Sequence, residues 1–206
     1  MLQLLGRSPS INVRKVLWLC AEMALPYEHE EWGTDALSLR APEFLALNPN
    51  AMVPVIRDGN FVLWESNAIC RYLAARERSE LLPSALQARA RVEQWMDWQA
   101  TELNTAWRYA FMSLVRQSPK HMDAAAIADS VANWNQHMSL LDAQLQQTGA
   151  FITGAAFTLA DIVLGLSTHR WFMTPMARPA LPAVAAYYER LTEREGFRRH
   201  GRNGLP

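Results

Sequence analysis

Glu65-Ser66-Asn67 brings together a carboxylate, a hydroxyl and, at the opening of a helix, backbone N–H groups with no partner inside that helix. Such a set suits a ligand head group that carries both an ammonium and a carboxylate, as an amino acid does. Just upstream, Val53-Pro54 leads into two β-branched or bulky apolar runs, Val55-Ile56 and Phe61-Val62-Leu63, separated by Asp58-Gly59-Asn60. Asp-Gly between two such runs is a strong signal for a tight hairpin. Pro54 cannot donate to a β-ladder, so it belongs at the head of its strand, which leaves the backbone of Val53 free for a ligand. A proline-led hairpin feeding a polar helix start has the outline of a binding site.

The surrounding elements must position these groups. Gln3-Leu4-Leu5 reads as a short strand, ended by Gly6 and the polar loop Arg7-Ser8-Pro9-Ser10. Val13, Val16, Leu17, Leu19, Cys20 and Met23 follow at mainly helical spacing, and Pro26 stops that helix. Tyr27 to Glu31 suits a second strand, parallel to the first if the helix makes the usual right-handed crossover. Residues 33–42 read as a loop, Pro42 to Leu45 as a short helix, then come the hairpin and a helix from Ser66 to about Arg76. The polar stretch Glu77 to Pro83 reads as a linker, and beyond it only helices are expected. They run from Leu86 to about Arg116, from Ala124 to Gln147, through the apolar run Ile162–Leu166, and from Pro182 to about Arg194. Thr158 and Asp161 precede that apolar run as a capping-box variant, a structural feature that needs no ligand. The expectation is an α/β domain over residues 1–78 followed by an all-α helical domain over residues 85–206.

Bulk properties narrow the function classes. The chain has 206 residues, of which half are hydrophobic and 19% charged, ordinary values for a water-soluble globular protein. Twenty basic residues balance twenty acidic ones, so nothing in the charge favours nucleic acid, and the basic cluster from Arg194 to Arg202 reads as a solvated tail. No run approaches the ~18 apolar residues of a membrane span, and the first ten residues lack the pattern of a signal peptide. Cys20 and Cys70 have no metal-ligand or redox spacing and read as buried, reduced and inert, in keeping with a cytoplasmic protein. No metal site is expected. Most of the eight tryptophans and nine methionines lie beyond residue 90, where they can fill a core or line an apolar pocket.

The segment from Leu47 to Tyr72, with its Val-Pro hairpin and Glu-Ser pair, resembles the glutathione-binding half of the cytosolic glutathione S-transferase superfamily. The likeness extends over essentially the whole chain, nearest to bacterial serine-type, theta-like or beta-like members. It implies a thioredoxin-like N-terminal domain, a helical C-terminal domain, a cis Val53-Pro54 peptide, a homodimer, and glutathione as co-substrate. Transfer of glutathione to a small electrophile is then the implied activity. Glutathione-dependent isomerisation or dehalogenation, or a non-catalytic interaction protein of the same fold, are the alternatives.

On that resemblance Glu65 pairs the γ-glutamyl ammonium, Ser66 holds its carboxylate, and the Val53 backbone at the cis Pro54 bonds the cysteinyl residue. Relatives often place Lys or Gln just ahead of the Val-Pro pair; Met52 stands there, so Arg40 and Trp32 are the candidates for the glycyl carboxylate. Asp97 is a candidate to reach the ammonium across a dimer interface. Alignment puts Ser10 on the catalytic serine, with Asn12 as the alternative and Ser8 a poorer one. No tyrosine occurs among the first 26 residues, which excludes a tyrosine-type site, and no cysteine occurs before Cys20, which lies too far along the helix and argues against cysteine-type thiol–disulfide chemistry. Lowering a thiol pKa from ~8.5 to ~6.5 is worth about 2.7 kcal/mol. One hydrogen bond to a charged group supplies roughly 1.5–3 kcal/mol and a helix N-terminus about 0.3–1, so a single hydroxyl is the larger contribution. For the electrophile, Trp107, Arg108, Tyr109, Phe111 and Met112 form one wall and Trp171-Phe172-Met173 another. Arg108 and Met112 share a helical face, which would suit a halogenated acid or a nitroaromatic.

Overall fold

A computed structural model describes residues 1–206. The N-terminal part contains β1 (Leu2–Leu5), α1 (Ile11–Glu22), β2 (Glu28–Glu30), α2 (Pro42–Leu45), β3 (Val55–Asp58), β4 (Phe61–Trp64) and α3 (Ser66–Arg76). The four strands form one sheet in the order β2-β1-β3-β4. β1 and β2 are parallel, as the α1 crossover requires, and β3 and β4 add antiparallel to the other side of β1. Val55 pairs with Trp64 and Asp58 with Phe61, the register set by the Asp58-to-Phe61 turn. This mixed sheet with its helices is a thioredoxin-like half.

The rest is helical: α4 (Leu86–Trp98), α5 (Asn104–Leu114), α6 (Ala124–Thr148), α7 (Leu159–Met173) and α8 (Pro182–Leu191). The single helix expected from Leu86 to Arg116 is interrupted by one turn of π-helix, Gln99–Leu103, between α4 and α5. A second π turn, Phe197–Gly201, follows α8, which ends three residues before Arg194. Propensity and periodicity carry no signal for a π turn; its reason is tertiary, as Gln99 shows below.

The principal core runs through both halves without a break, from Leu2, Leu4 and Ile56 in the sheet, through Val13, Trp18 and Leu19 of α1, to α7. Every residue of α7 from Leu159 to Trp171 is buried, so this helix has no polar face and acts as the axis of the helical part. A small second core, Leu5, Trp32, Phe44 and Val55, closes the other face of the sheet. Cys20 and Cys70 are free and buried, and burial pushes both thiols up to about 12, where they stay protonated and unreactive.

The capping box at α7 is present and extended. Asp161 accepts from the Thr158 N–H at 2.8 Å, the Thr158 hydroxyl at 3.1 Å and the Ile152 N–H at 3.0 Å. Burial raises its carboxyl to about 6 against the pull of those donors. Its folded-state pKa lies above the unfolded value of about 3.9, so its contribution to stability is full below pH ~4 and declines as pH rises through ~6. Asp161→Ala should cost about 2–4 kcal/mol in urea unfolding, a lost cap plus orphaned buried donors. In Asp161→Asn that decline between pH ~4 and ~6 should be absent from the pH–stability curve.

Candidate functional site

The site forms where β1, the head of β3 and the start of α3 meet the mouth of α1. Gly6, at φ +149°, ends β1, and a Cβ there would lie 2.6 Å from Val13 Cγ2 and 2.9 Å from Val53 Cβ. Only glycine lets the β1–α1 loop and the Val53 loop approach this closely. The Val53-Pro54 peptide is cis, and the Val53 N–H and C=O make no hydrogen bond within the protein. Asn48 braces this loop, donating from Nδ2 to the Met52 carbonyl at 2.8 Å while Oδ1 accepts from the Asn50 N–H at 3.0 Å. Asn12, Asn48, Met52, Val53, Pro54, Glu65 and Ser66 enclose a pocket of about 50 Å³. A larger hollow of about 590 Å³ lies at the connector between α3 and α4, lined by residues such as Arg78, Ser79 and Pro83. It lacks a nucleophile-orienting group, so the smaller pocket is where the chemistry converges.

Glu65 stands at φ 74°, ψ 109°, a conformation rarely adopted by a residue with a side chain. Its carbonyl accepts from the Ile69 N–H at 2.9 Å, while the N–H groups of Ser66, Asn67 and Ala68 have no backbone acceptor. The bend turns the exposed Glu65 carboxylate and these N–H groups toward one pocket, a strain of the kind that accompanies ligand sites. The Ser66 hydroxyl, buried, donates to Asn12 Oδ1 at 3.4 Å. With Oδ1 occupied, the Asn12 NH₂ group is without a protein acceptor. Ser10 is the N-cap of α1 at φ −69°, ψ 123°, its carbonyl accepts from the Arg14 N–H at 2.9 Å, and its half-buried hydroxyl caps nothing. Ser8 differs from both: its hydroxyl and its N–H are bound by the Glu31 carboxylate, the latter at 2.9 Å.

Behind the pocket lies a polar network that sequence reading missed. Lys15, fully buried in α1, donates to Asn67 Oδ1 at 3.1 Å and to Gln99 Oε1 at 2.9 Å. Asn67 Nδ2 donates to the Met96 carbonyl at 2.9 Å, and Gln99 Nε2 to Ser167 Oγ at 3.1 Å and Asn104 Oδ1 at 2.9 Å. The π turn is what delivers Gln99 inward to this lysine. Burial lowers the Lys15 ammonium to about 8, with the nearby Arg170 and Arg71 acting in the same direction and Glu65 opposing.

Other sequence candidates stand elsewhere. Trp32 is a core residue: it is buried on Phe44 with ring centroids 5.1 Å apart, and its N–H is taken by Glu30 Oε2 at 2.8 Å, so it is not available to a ligand carboxylate. Trp171 is likewise core, buried with its N–H on Asn135 Oδ1 at 2.9 Å, and does not form a wall of an open site. Arg40 is exposed and makes no side-chain bond. Asp97 is exposed and paired with Arg71. On α5, Trp107 and Met112 are half-buried, Phe111 is buried, and Arg108 points into solvent. The cation facing Trp107 and Phe111 is Arg170 of α7, at 4.6 Å and 4.1 Å from the two ring centroids. Arg170 stands between the polar Ser167-Thr168-His169 and the apolar Trp171-Phe172-Met173, and only the unbroken burial of α7 from Leu159 to Trp171 points to it.

Residues 9–76 match the family model described as glutathione S-transferase, N-terminal domain, and residues 124–190 that described as glutathione S-transferase, C-terminal domain. The chain is 38% identical over 202 residues to glutathione S-transferase GstB of Escherichia coli, covering 97% of both chains. It is 31% identical to glutathione S-transferase 3 of Zea mays, covering 96% of this chain and 92% of the relative. Among solved structures it is similar to the theta class glutathione S-transferase of Xanthomonas axonopodis pv. citri with glutathione bound. That likeness has a TM-score of 0.92 and 38% identity, over 100% of this chain and 99% of the other.

Lys15→Ala would leave the Asn67 and Gln99 oxygens buried without donors and open a cavity. The expected loss is about 2–4 kcal/mol in denaturant unfolding, and Lys15→Met, which keeps the volume, should recover less than half of it.

Proposed function

The chain belongs to the glutathione S-transferase family, as a bacterial theta-like member, and on that premise we propose how its residues carry out glutathione transfer. The observation that carries the reading is the convergence of an unbonded Val53 backbone, a strained Glu65, the Ser66 hydroxyl and the mouth of α1 on a single pocket. Glu65 pairs the γ-glutamyl ammonium. The Ser66 hydroxyl and the free N–H groups of α3 take the γ-glutamyl carboxylate, where the positive end of the helix favours it. Val53 exchanges backbone bonds with the cysteinyl residue beside Pro54, extending the sheet by a short stretch of ligand. Arg40, on the exposed loop, is the side chain left to meet the glycyl carboxylate.

The sulfur then lies at the start of α1. Ser10 donates its hydroxyl to the thiolate, and the Asn12 NH₂ group, freed by the bond from Ser66 to its oxygen, is a second donor. The thiolate attacks the electrophile, the C–S bond forms, and the leaving group departs with its bonding pair. Residues 1–78 hold glutathione, and residues 85–206 supply the Trp107, Phe111 and Met112 side of the electrophile site. No helix is long and apolar enough to cross a membrane. A cytoplasmic homodimer is the proposed state, with Asp97 near the twofold contact and able to exchange Arg71 for the partner's ligand.

Calorimetry should find about one glutathione bound per chain, with Glu65→Gln and Ser66→Ala each weakening Kd by about tenfold or more. Absence of binding to the unaltered protein contradicts the reading. Ser10→Ala should lower kcat/KM by roughly 10- to 100-fold, the worth of one charged hydrogen bond, while Ser8→Ala stays within about twofold. Unchanged activity in Ser10→Ala moves the role to Asn12.

A further inference from the structure

Arg170 is buried, exposed by only 4%, yet its guanidinium donates no hydrogen bond to the protein. Buried charges are normally paired, because removing a cation from water without a partner is costly. Here the partners are two aromatic faces, Trp107 and Phe111, which recover part of that cost but accept no N–H. No carboxylate of the protein compensates it. The charges that act on it belong to Arg14 and Arg116, and together with burial they lower it to about 9, so it remains a cation at neutral pH. Arg14 is already committed, donating to the Leu205 carbonyl at 2.7 Å, and Arg116 also lies over the Phe111 ring, at 5.5 Å from its centroid. Arg170 Nε and the Trp107 indole N–H are both shut off from solvent without an acceptor, whereas the two terminal nitrogens of Arg170 are not shut off.

The place is as telling as the missing acceptor. Arg170 of α7 reaches the rings of α5 and is near enough to Arg14 and Lys15 of α1 for their charges to act on each other, and Lys15 is bonded to the residue next to Ser66. An unpaired fork of donors, flanked by ring faces and linked through Lys15 and Asn67 to the wall of the glutathione pocket, has the chemistry of a site for an anion carried on an aromatic ring.

Resting on the glutathione reading above, we propose that Arg170 binds the carboxylate of the second substrate, so that the enzyme acts on aromatic electrophiles bearing a carboxylate. Its two terminal nitrogens take the carboxylate end-on, and the partly exposed side of Trp107 packs against the ring. The exposed Arg108, which sequence alone made the candidate cation, has no part in it.

Chloronitrobenzoate and the matching chloronitrobenzamide differ in charge but not in reacting carbon, and with either one the thiolate forms a C–S bond as chloride leaves with its bonding pair. Rates are normalised to the reaction with free glutathione. The unaltered enzyme should favour the acid by about tenfold or more in kcat/KM. Arg170→Met should abolish that preference while amide turnover and calorimetric glutathione affinity stay within about threefold, and Arg170→Lys should retain part of it. Independently of turnover and of any variant, benzoate should bind the glutathione-loaded protein about tenfold more tightly than benzamide, read by tryptophan fluorescence. Equal benzoate and benzamide affinity, no preference in the unaltered enzyme, or an undiminished preference in Arg170→Met each overturns the assignment. Glutathione binding with amide turnover but no acid preference removes Arg170 alone, whereas failure to bind glutathione removes the underlying site as well.

Discussion

A single buried ammonium fixes where the glutathione pocket can form. Lys15 sits one turn into α1 and holds Asn67 of α3 and Gln99 of the π turn at once. Because Asn67 follows Ser66, and Asn12 precedes Lys15 by less than a turn, the same bonds that satisfy the lysine set Ser66 against Asn12. Gln99 in turn reaches Ser167 on α7, so the thioredoxin-like half and the helical half share one polar seam inside one apolar core. Such a seam is stable only when every member is satisfied, which explains why the long helix tolerates a π turn to bring Gln99 inward.

Around that seam the site divides its electrostatic work. On the glutathione side the groups lining the pocket are neutral donors, namely the Ser66 hydroxyl, the Asn12 amide and free N–H groups, with the Glu65 carboxylate beside them. Neutral donors suit a thiolate whose anionic form must be favoured without being trapped, since a hydrogen bond of roughly 1.5–3 kcal/mol is the right size for a shift of one or two pKa units. On the electrophile side the balance is reversed, with a full cation pressed between rings. The proposed division is thus one in which dipoles hold the sulfur and charge holds the acceptor substrate.

Much of this was legible in the residues because it depended on local rules. Asp58-Gly59 between apolar runs gives the hairpin, Pro54 its head, and Thr158 with Asp161 the cap of α7, each within a few residues of its cause. Serine and asparagine at the mouth of α1 are visible for the same reason. The side chains that escaped are those whose role is decided across the fold. Lys15 and Arg14 look like the exposed face of a helix until α3, α7 and the C-terminal residues cover them. Trp32 and Trp171 are large aromatics that fit either a pocket or a core, and only their packing on Phe44 and beside Asn135 decides for the core. Arg108 and Arg170 show the same ambiguity with opposite outcomes. One cation on a helix carries no mark of the direction it faces when its neighbours are mixed.

The most direct test of the thiolate at the mouth of α1 is the ultraviolet absorbance of enzyme-bound glutathione followed as a function of pH. A sulfur held by Ser10 and Asn12 should ionise about one to three pH units below the free thiol near 8.5, and removing both donors together should return the midpoint to that value. A bound thiol that ionises where the free one does, in the unaltered enzyme, would contradict it.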